Sequence, residues 1–173
     1  MFSQELLQDL YQHMEWADAA VWTSLGPMIQ AGETDDRLHS LLYHMHYTQR
    51  AFLGVWTNTD LEGYDPSGFA TLADMHEWVR SYHQDVQSFL ATLDETRYAE
   101  TTVIPWVRLF ENHLGGKAGP TNLGETLMQV TQHTTYHRGQ VNARLRELEG
   151  EPQLVDYIAW IWKGRPVPEW MTF

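Results

Sequence analysis

The chain has 173 residues, of which 43% are hydrophobic and 13% aromatic, enough for a single domain over residues 1–173 with its own core. Its formal net charge of −12, with no Lys/Arg cluster to override it, opposes binding to phosphate backbones and anionic lipid and argues against a nucleic-acid partner. The absence of cysteine excludes disulfides, thiolate metal ligands and an internal thiol nucleophile, so a metal must be held by His, Asp or Glu and thiol chemistry needs an external thiol.

The amino terminus, Met1-Phe2-Ser3-Gln4-Glu5, lacks the basic start and apolar core of a signal peptide, and no apolar run of about 18 residues suggests a membrane span. The expectation is a cytoplasmic protein without a membrane partner. A first helix opens at Ser3 as N-cap, carries Leu6, Leu7, Leu10, Met14, Ala17, Val21 and Leu25 at helical spacing, and is expected to stop at Gly26-Pro27. A second starts near Thr34-Asp35-Asp36 and runs through Leu38, Leu41, Leu42, Met45, Phe52, Leu53 and Trp56 to about Asn58, with His44 and His46 inside it. After the loop Asp60–Gly68, Thr71-Leu72-Ala73-Asp74 reads as a capping box for a third helix ending near Asp94. Residues 95–121 lose the helical period and read as a long crossover loop with a β-like run Thr101–Val107 broken by Pro105. The fourth helix opens at Asn122 with Glu125 three residues on and ends at Gly150; a tail Asp156–Trp170 follows. The resulting expectation is all-α: an antiparallel four-helix bundle with a long loop before the last helix and a Trp-rich C-terminal tail.

The chemistry concentrates in Gln132-His133-Thr134-Thr135-Tyr136-His137-Arg138-Gly139-Gln140. Two histidines at i and i+4 project from one helix face and can close on one metal ion. The plain alternative is a pair of structural histidines. On the helix wheel His137 lies within the apolar stripe and His133 at its edge, so both face the interior or a cleft beside it. Gly139, mid-helix, suggests that another backbone or a ligand approaches there. A third ligand must come from elsewhere, and His44 and His46 are the candidates. They lie some 200° apart on their helix, so only one can join the pair; periodicity tilts toward His46, nearer the apolar stripe.

Three segments carry a resemblance to the DinB-like family of metal-binding four-helix-bundle proteins, nearly end to end: Tyr11–Ala17 with Glu15-Trp16, Leu38-x2-Leu41-Leu42-x-His44, and Thr126-Leu127-x5-His133-x3-His137-Arg138-Gly139-Gln140. The last is the most specific. The resemblance implies that one histidine of the second helix joins His133 and His137 around a divalent metal, and the preceding leucines place His44 in that role, against the wheel. Many relatives look to have an acidic residue where this chain has Gln49, a departure that bears on how the site is oriented.

Three neutral imidazoles suit zinc or nickel, admit iron, and leave room for water or substrate. Some members of the family that the chain resembles are similar to S-transferases and isomerases that use a low-molecular-weight thiol at this metal, and the expectation taken from them is a metal-dependent transferase joining an external thiol to a small-molecule substrate. Two rivals stand beside it: a hydrolase with a metal-bound water, for which Glu15 and Asp18 are candidate bases, and a non-catalytic metal-binding or stress-response protein. Arg138, beside a ligand, is a candidate for holding an anionic substrate, with a salt bridge to a neighbouring helix as the plainer role. Asp156 is a candidate partner of the site by its place in the family-like tail. The tryptophans read as core or interface, His13, His39, His76, His83 and His113 as surface or helix-edge residues, and Arg144–Glu149 as a solvated face. A homodimer is expected from the resemblance and from the surplus of Trp and Tyr.

Overall fold

The computed structural model describes residues 3–60 and 63–172; Met1 and Phe2, which open the amino-terminal reading, and part of the loop Asp60–Gly68 lie outside the described residues. Among the described residues the fold is all-α apart from one two-residue strand pair. Four long helices dominate, α1 (Gln4–Ala31), α2 (Asp36–Thr57), α3 (Leu72–Ala91) and, after a short α4 (Glu111–Leu114), α5 (Leu123–Glu147). A six-residue α6 (Tyr157–Trp162) lies in the tail.

Each long helix starts where a side chain accepts its orphan N–H groups: Ser3, Asp35, Thr71 and Asn122 are the N-caps, and Thr71/Asp74 and Asn122/Glu125 close reciprocal capping boxes. The expected stop at Gly26-Pro27 is not where α1 ends. The helix continues through Pro27 to Ala31 and is capped by Gly32 at φ 67°. Met28 and Ile29 still pack on the core there, which offsets the one backbone hydrogen bond that the proline removes. Gly26 has another reason to be glycine: a Cβ at this position would lie 2.8 Å from Met171 Cε of the tail.

Cross-helix pairs give the helix directions. Trp56–Thr126, Gln49–Thr134 and Arg37–Glu147 run in opposite order along α2 and α5, so these helices are antiparallel. Tyr11–Leu127 and Asp18–Arg138 run in the same order, so α1 and α5 are parallel. Trp22–His76 and Asp18–His83 set α1 and α3 antiparallel, which leaves α2 and α3 parallel. The return along the molecule therefore falls to residues 58–71, a correction to the crossover assigned to 95–121. Tyr64 packs against Tyr47 and Tyr43, Asp65 N–H donates to Tyr43 Oη, and His39 reaches the carbonyl of Phe69, tracing this segment back along α2. Residues 95–121 instead remain at one end, where β1 (Thr101–Thr102) pairs antiparallel with β2 (Thr121–Asn122) and Leu123 N–H bonds to the Glu100 carbonyl.

Two apolar clusters fill the interior, one around Leu7, Tyr11, Val86 and Leu127, the other around Trp22, Leu42, Met75 and Val141. The tail packs along α1: Trp160 is buried on Trp16 and Ala17, Arg165 and the Tyr157 hydroxyl bond to Asp9, and Gln153 N–H to Ser24. Among the described residues no helix is long and apolar enough to cross a membrane.

Candidate metal centre

His44 of α2 and His133 and His137 of α5 converge: each offers one ring nitrogen, and these three atoms lie within 4.8 Å of one another. Ring centroids are 4.2 Å apart for His133–His137, 4.6 Å for His44–His137 and 5.2 Å for His44–His133. The i, i+4 spacing makes the first pair; the antiparallel register of α2 and α5 delivers the third ring.

The residues fit a bound cation on three counts. All three imidazoles favour the neutral, ligating form. Burial lowers the pKa of His44, with the His137 ring adding to it; burial, His137 and His44 hold His133 at about 4; burial lowers His137 against a raising hydrogen bond from Gln140. His137 Nδ1 lies 2.8 Å from Gln140 Oε1, so it carries the proton, the ring is oriented and the lone pair sits on Nε2. His133 Nδ1 is buried without a hydrogen-bond partner, an unmet polar atom on one of the three rings. Three nitrogens with no carboxylate or sulfur among them suit zinc, nickel, copper or iron better than magnesium or calcium. The rings are half-buried, and exposed Tyr64 and Tyr136 flank them, 6.3 Å from His44 and 5.0 Å from His137.

His46, preferred by periodicity, faces the core and is 1% exposed. Both of its nitrogens are taken: Trp22 Nε1–H donates to Nε2 at 3.2 Å, and Nδ1–H donates to Gln49 Oε1 at 2.8 Å. Gln49 in turn donates through Nε2 to Asp18 Oδ2 at 2.9 Å and to Thr134 Oγ1 at 3.1 Å. Arg138 Nη1 donates to the other Asp18 oxygen at 2.8 Å, and His83 Nε2 stands 3.3 Å from Asp18 Oδ2. One buried carboxylate of α1 thus gathers a side chain from each of α2, α3 and α5. Burial alone would raise its pKa, but His83 and the charges around it, Arg138 foremost, more than offset that and hold the carboxyl well below the usual range. Of this network the sequence reading singled out Asp18, Gln49, His46 and Arg138 separately; their meeting depends on helix register, which spacing along the chain does not encode.

The other site candidates lie as follows. Arg138 is 2% exposed and forms a salt bridge with α1. Glu15 is half-buried on α1, where its Oε1 accepts from Trp170 Nε1, and Trp170 packs against His76 and His83 of α3; these partners belong to α3 and the tail, the three-histidine cluster to α2 and α5. Asp18 is fully buried, both oxygens engaged. Asp156 is an exposed residue at the start of α6. Gly139 faces solvent and a Cβ there would meet nothing within 4 Å, so among the described residues no other backbone of this chain makes the close approach expected at this glycine. His13, His76 and His83, expected at helix edges, are buried because they face the seam of α1 with α3 and the tail. Arg144 and Glu147 are not only a solvated face: Arg144 holds Asp35, the N-cap of α2, and Glu147 bonds Arg37.

The sequence model of the DinB family matches residues 1–167. No curated protein matches the chain.

Proposed function

The chain belongs to the DinB family, and from that premise we propose that His44, His133 and His137 hold one divalent transition metal, zinc or nickel before iron. The observation that carries this reading is the meeting of three neutral imidazole nitrogens, from two helices distant in sequence, within 4.8 Å. Such an ion supplies Lewis acidity and lowers the pKa of a water or thiol that it coordinates. The protein's own part is orientation. Gln140 fixes the tautomer of His137, and Tyr64 and Tyr136 flank the half-buried rings with exposed aromatic surface.

In this reading the centre serves an S-transferase that joins an external low-molecular-weight thiol to a small electrophile, which accords with a chain that has no cysteine to compete as ligand or nucleophile. A hydrolase needs a base at the cluster. Glu15 is engaged by Trp170 of the tail, and both oxygens of the fully buried Asp18 are taken by Gln49, Arg138 and His83, so neither is free to take up a proton at the cluster, which weighs against that rival. Arg138 and Glu15 are assigned no bond-making step. The four long helices are read as one bundle, cytoplasmic, pairing as a homodimer through the exposed Val103, Leu109, Phe110 and Leu114 near its β1–β2 end.

Metal content by mass spectrometry of untagged protein tests the centre. Near-stoichiometric zinc or nickel is expected for wild type and for His46→Ala if it folds, and its loss for His44→Ala and His137→Ala. Wild-type protein that takes up no metal on reconstitution would remove the reading. Metal-loaded protein is then assayed with thiols and electrophiles: turnover without thiol would point to the hydrolase, and tight metal binding with no turnover to a non-catalytic binder.

A further inference from the structure

The polar chain buried behind the histidines has a direction and a location that packing alone does not require. Tryptophan can only donate, so Trp22 makes His46 Nε2 an acceptor; His46 Nδ1–H then makes Gln49 Oε1 an acceptor, and the Gln49 amide must find two acceptors, Asp18 and Thr134. Every step is determined by the one before. The chain also touches the metal helices at chosen places: Thr134 and Arg138, both buried in it, each follow a ligand histidine by one residue, while His46 and Gln49 stand two and five residues after His44.

We propose that this network, with Gln49 and Thr134 at its centre, is a positioning device that fixes the rotation of α5 against α2 and thereby aims His133 and His137 at His44. The proposal rests on reading those three histidines as metal ligands. Neighbouring helix residues are set about 100° apart around the axis, so pinning Thr134 and Arg138 inward fixes the direction of the residues just before them. Apolar side chains tolerate small rotations. A buried amide with two determined acceptors does not, because a slip of α5 leaves the Gln49 amide, Asp18 and Arg138 without partners in a site sealed from water. Gln49 therefore acts on the metal through the helix, without touching it.

A second cross-link between the same two helices provides the comparison. Trp56 Nε1–H donates to Thr126 Oγ1 at 3.0 Å, and Thr126 lies eight residues before Thr134, about 12 Å along α5. Both threonines are buried and each accepts one hydrogen bond from α2. Only one of them adjoins a ligand.

The experiment titrates metal-stripped full-length protein with cobalt(II) and follows its visible absorption bands beside the thermal midpoint. Thr134→Val, which keeps shape and removes the acceptor, is expected to weaken cobalt binding about 10–100-fold and to alter the bands, a loss of the size found when groups that orient metal ligands are removed. Thr134→Ser, which keeps the hydroxyl, is expected to restore both. Thr126→Val is expected to lower the thermal midpoint yet leave affinity within about twofold and the bands unchanged, since the outer-shell effect is confined to groups that orient ligands. Thr134→Ala replaces the valine variant if that one does not fold. Wild-type affinity and bands in Thr134→Val, or an equal loss in Thr126→Val, would overturn the proposal while the ligand assignment stands. Wild-type protein that binds no cobalt would instead overturn the ligand assignment, and this proposal with it.

Discussion

His44 and His46 stand two residues apart on one helix and differ in what surrounds them, not in their chemistry. His46 sits where hydrophobic periodicity puts it, facing the core, and its two nitrogens are consumed there by Trp22 and Gln49. His44 sits half-buried at the stripe's edge with its ring toward α5, against that of His137, where the proposed ligand role needs it. Burial, against the pull of Asp18 and the Gln49 hydrogen bond, holds the His46 pKa at about 4. Because the folded pKa lies below the ordinary value of about 6.5, the unfolded chain takes up the proton first as pH falls. The contribution of His46 to stability is thus complete above about pH 6.5 and is lost toward pH 4, on the order of 3 kcal/mol in all. Urea unfolding of metal-free protein between these limits should give a flatter pH profile for His46→Gln than for wild type; parallel profiles would show that His46 is not held neutral. The i, i+4 pair was legible as spacing and the third histidine of the cluster as a choice of two. The Asp18 junction was not, because its members are joined only by tertiary register.

At the level of elements, capping was the most readable signal: Ser3, Asp35, Thr71 with Asp74, and Asn122 with Glu125 act locally, and all four helix starts fall where these residues place them. Gly and Pro were less dependable, since what they mean depends on what lies opposite. Pro27 is carried inside α1 by packing beyond it, and the two Gly/Pro-bearing connections, 58–71 and 92–122, look alike in composition although only the first travels the length of the helices. Gly139 is the clearest case. It lies mid-helix, faces solvent and has room for a methyl group, so Gly139→Ala should stabilise the monomeric fold by about 0.5–1 kcal/mol through lower backbone entropy of the unfolded chain. For a domain of this size that is a rise of roughly 1–4 °C in thermal midpoint. A fall instead would mean that another surface closes on this face of α5, and a second copy of the chain would be the first to test by sedimentation.

For the molecule as a whole, the three histidines join segments separated by the entire α3 region, so in the unfolded chain they are scattered and only the folded chain presents them together. A metal that binds there stabilises the fold by mass action, by about 2.7 kcal/mol at a free concentration one hundred times its dissociation constant. That corresponds to a rise of roughly 5–11 °C in thermal midpoint. A net charge of −12 complicates the measurement, because any divalent cation will also gather diffusely near so acidic a surface. The two effects separate by salt and by ligand. Diffuse attraction is screened over about 3 Å at 1 M monovalent salt, whereas coordination by neutral imidazoles is not weakened by screening. The rise with zinc should therefore persist at high sodium chloride in wild type and vanish in His44→Ala, which removes one ring and leaves the net charge essentially unchanged above its titration range. A rise that salt abolishes in wild type, or that survives in His44→Ala, would place the cation on the acidic surface and not between α2 and α5.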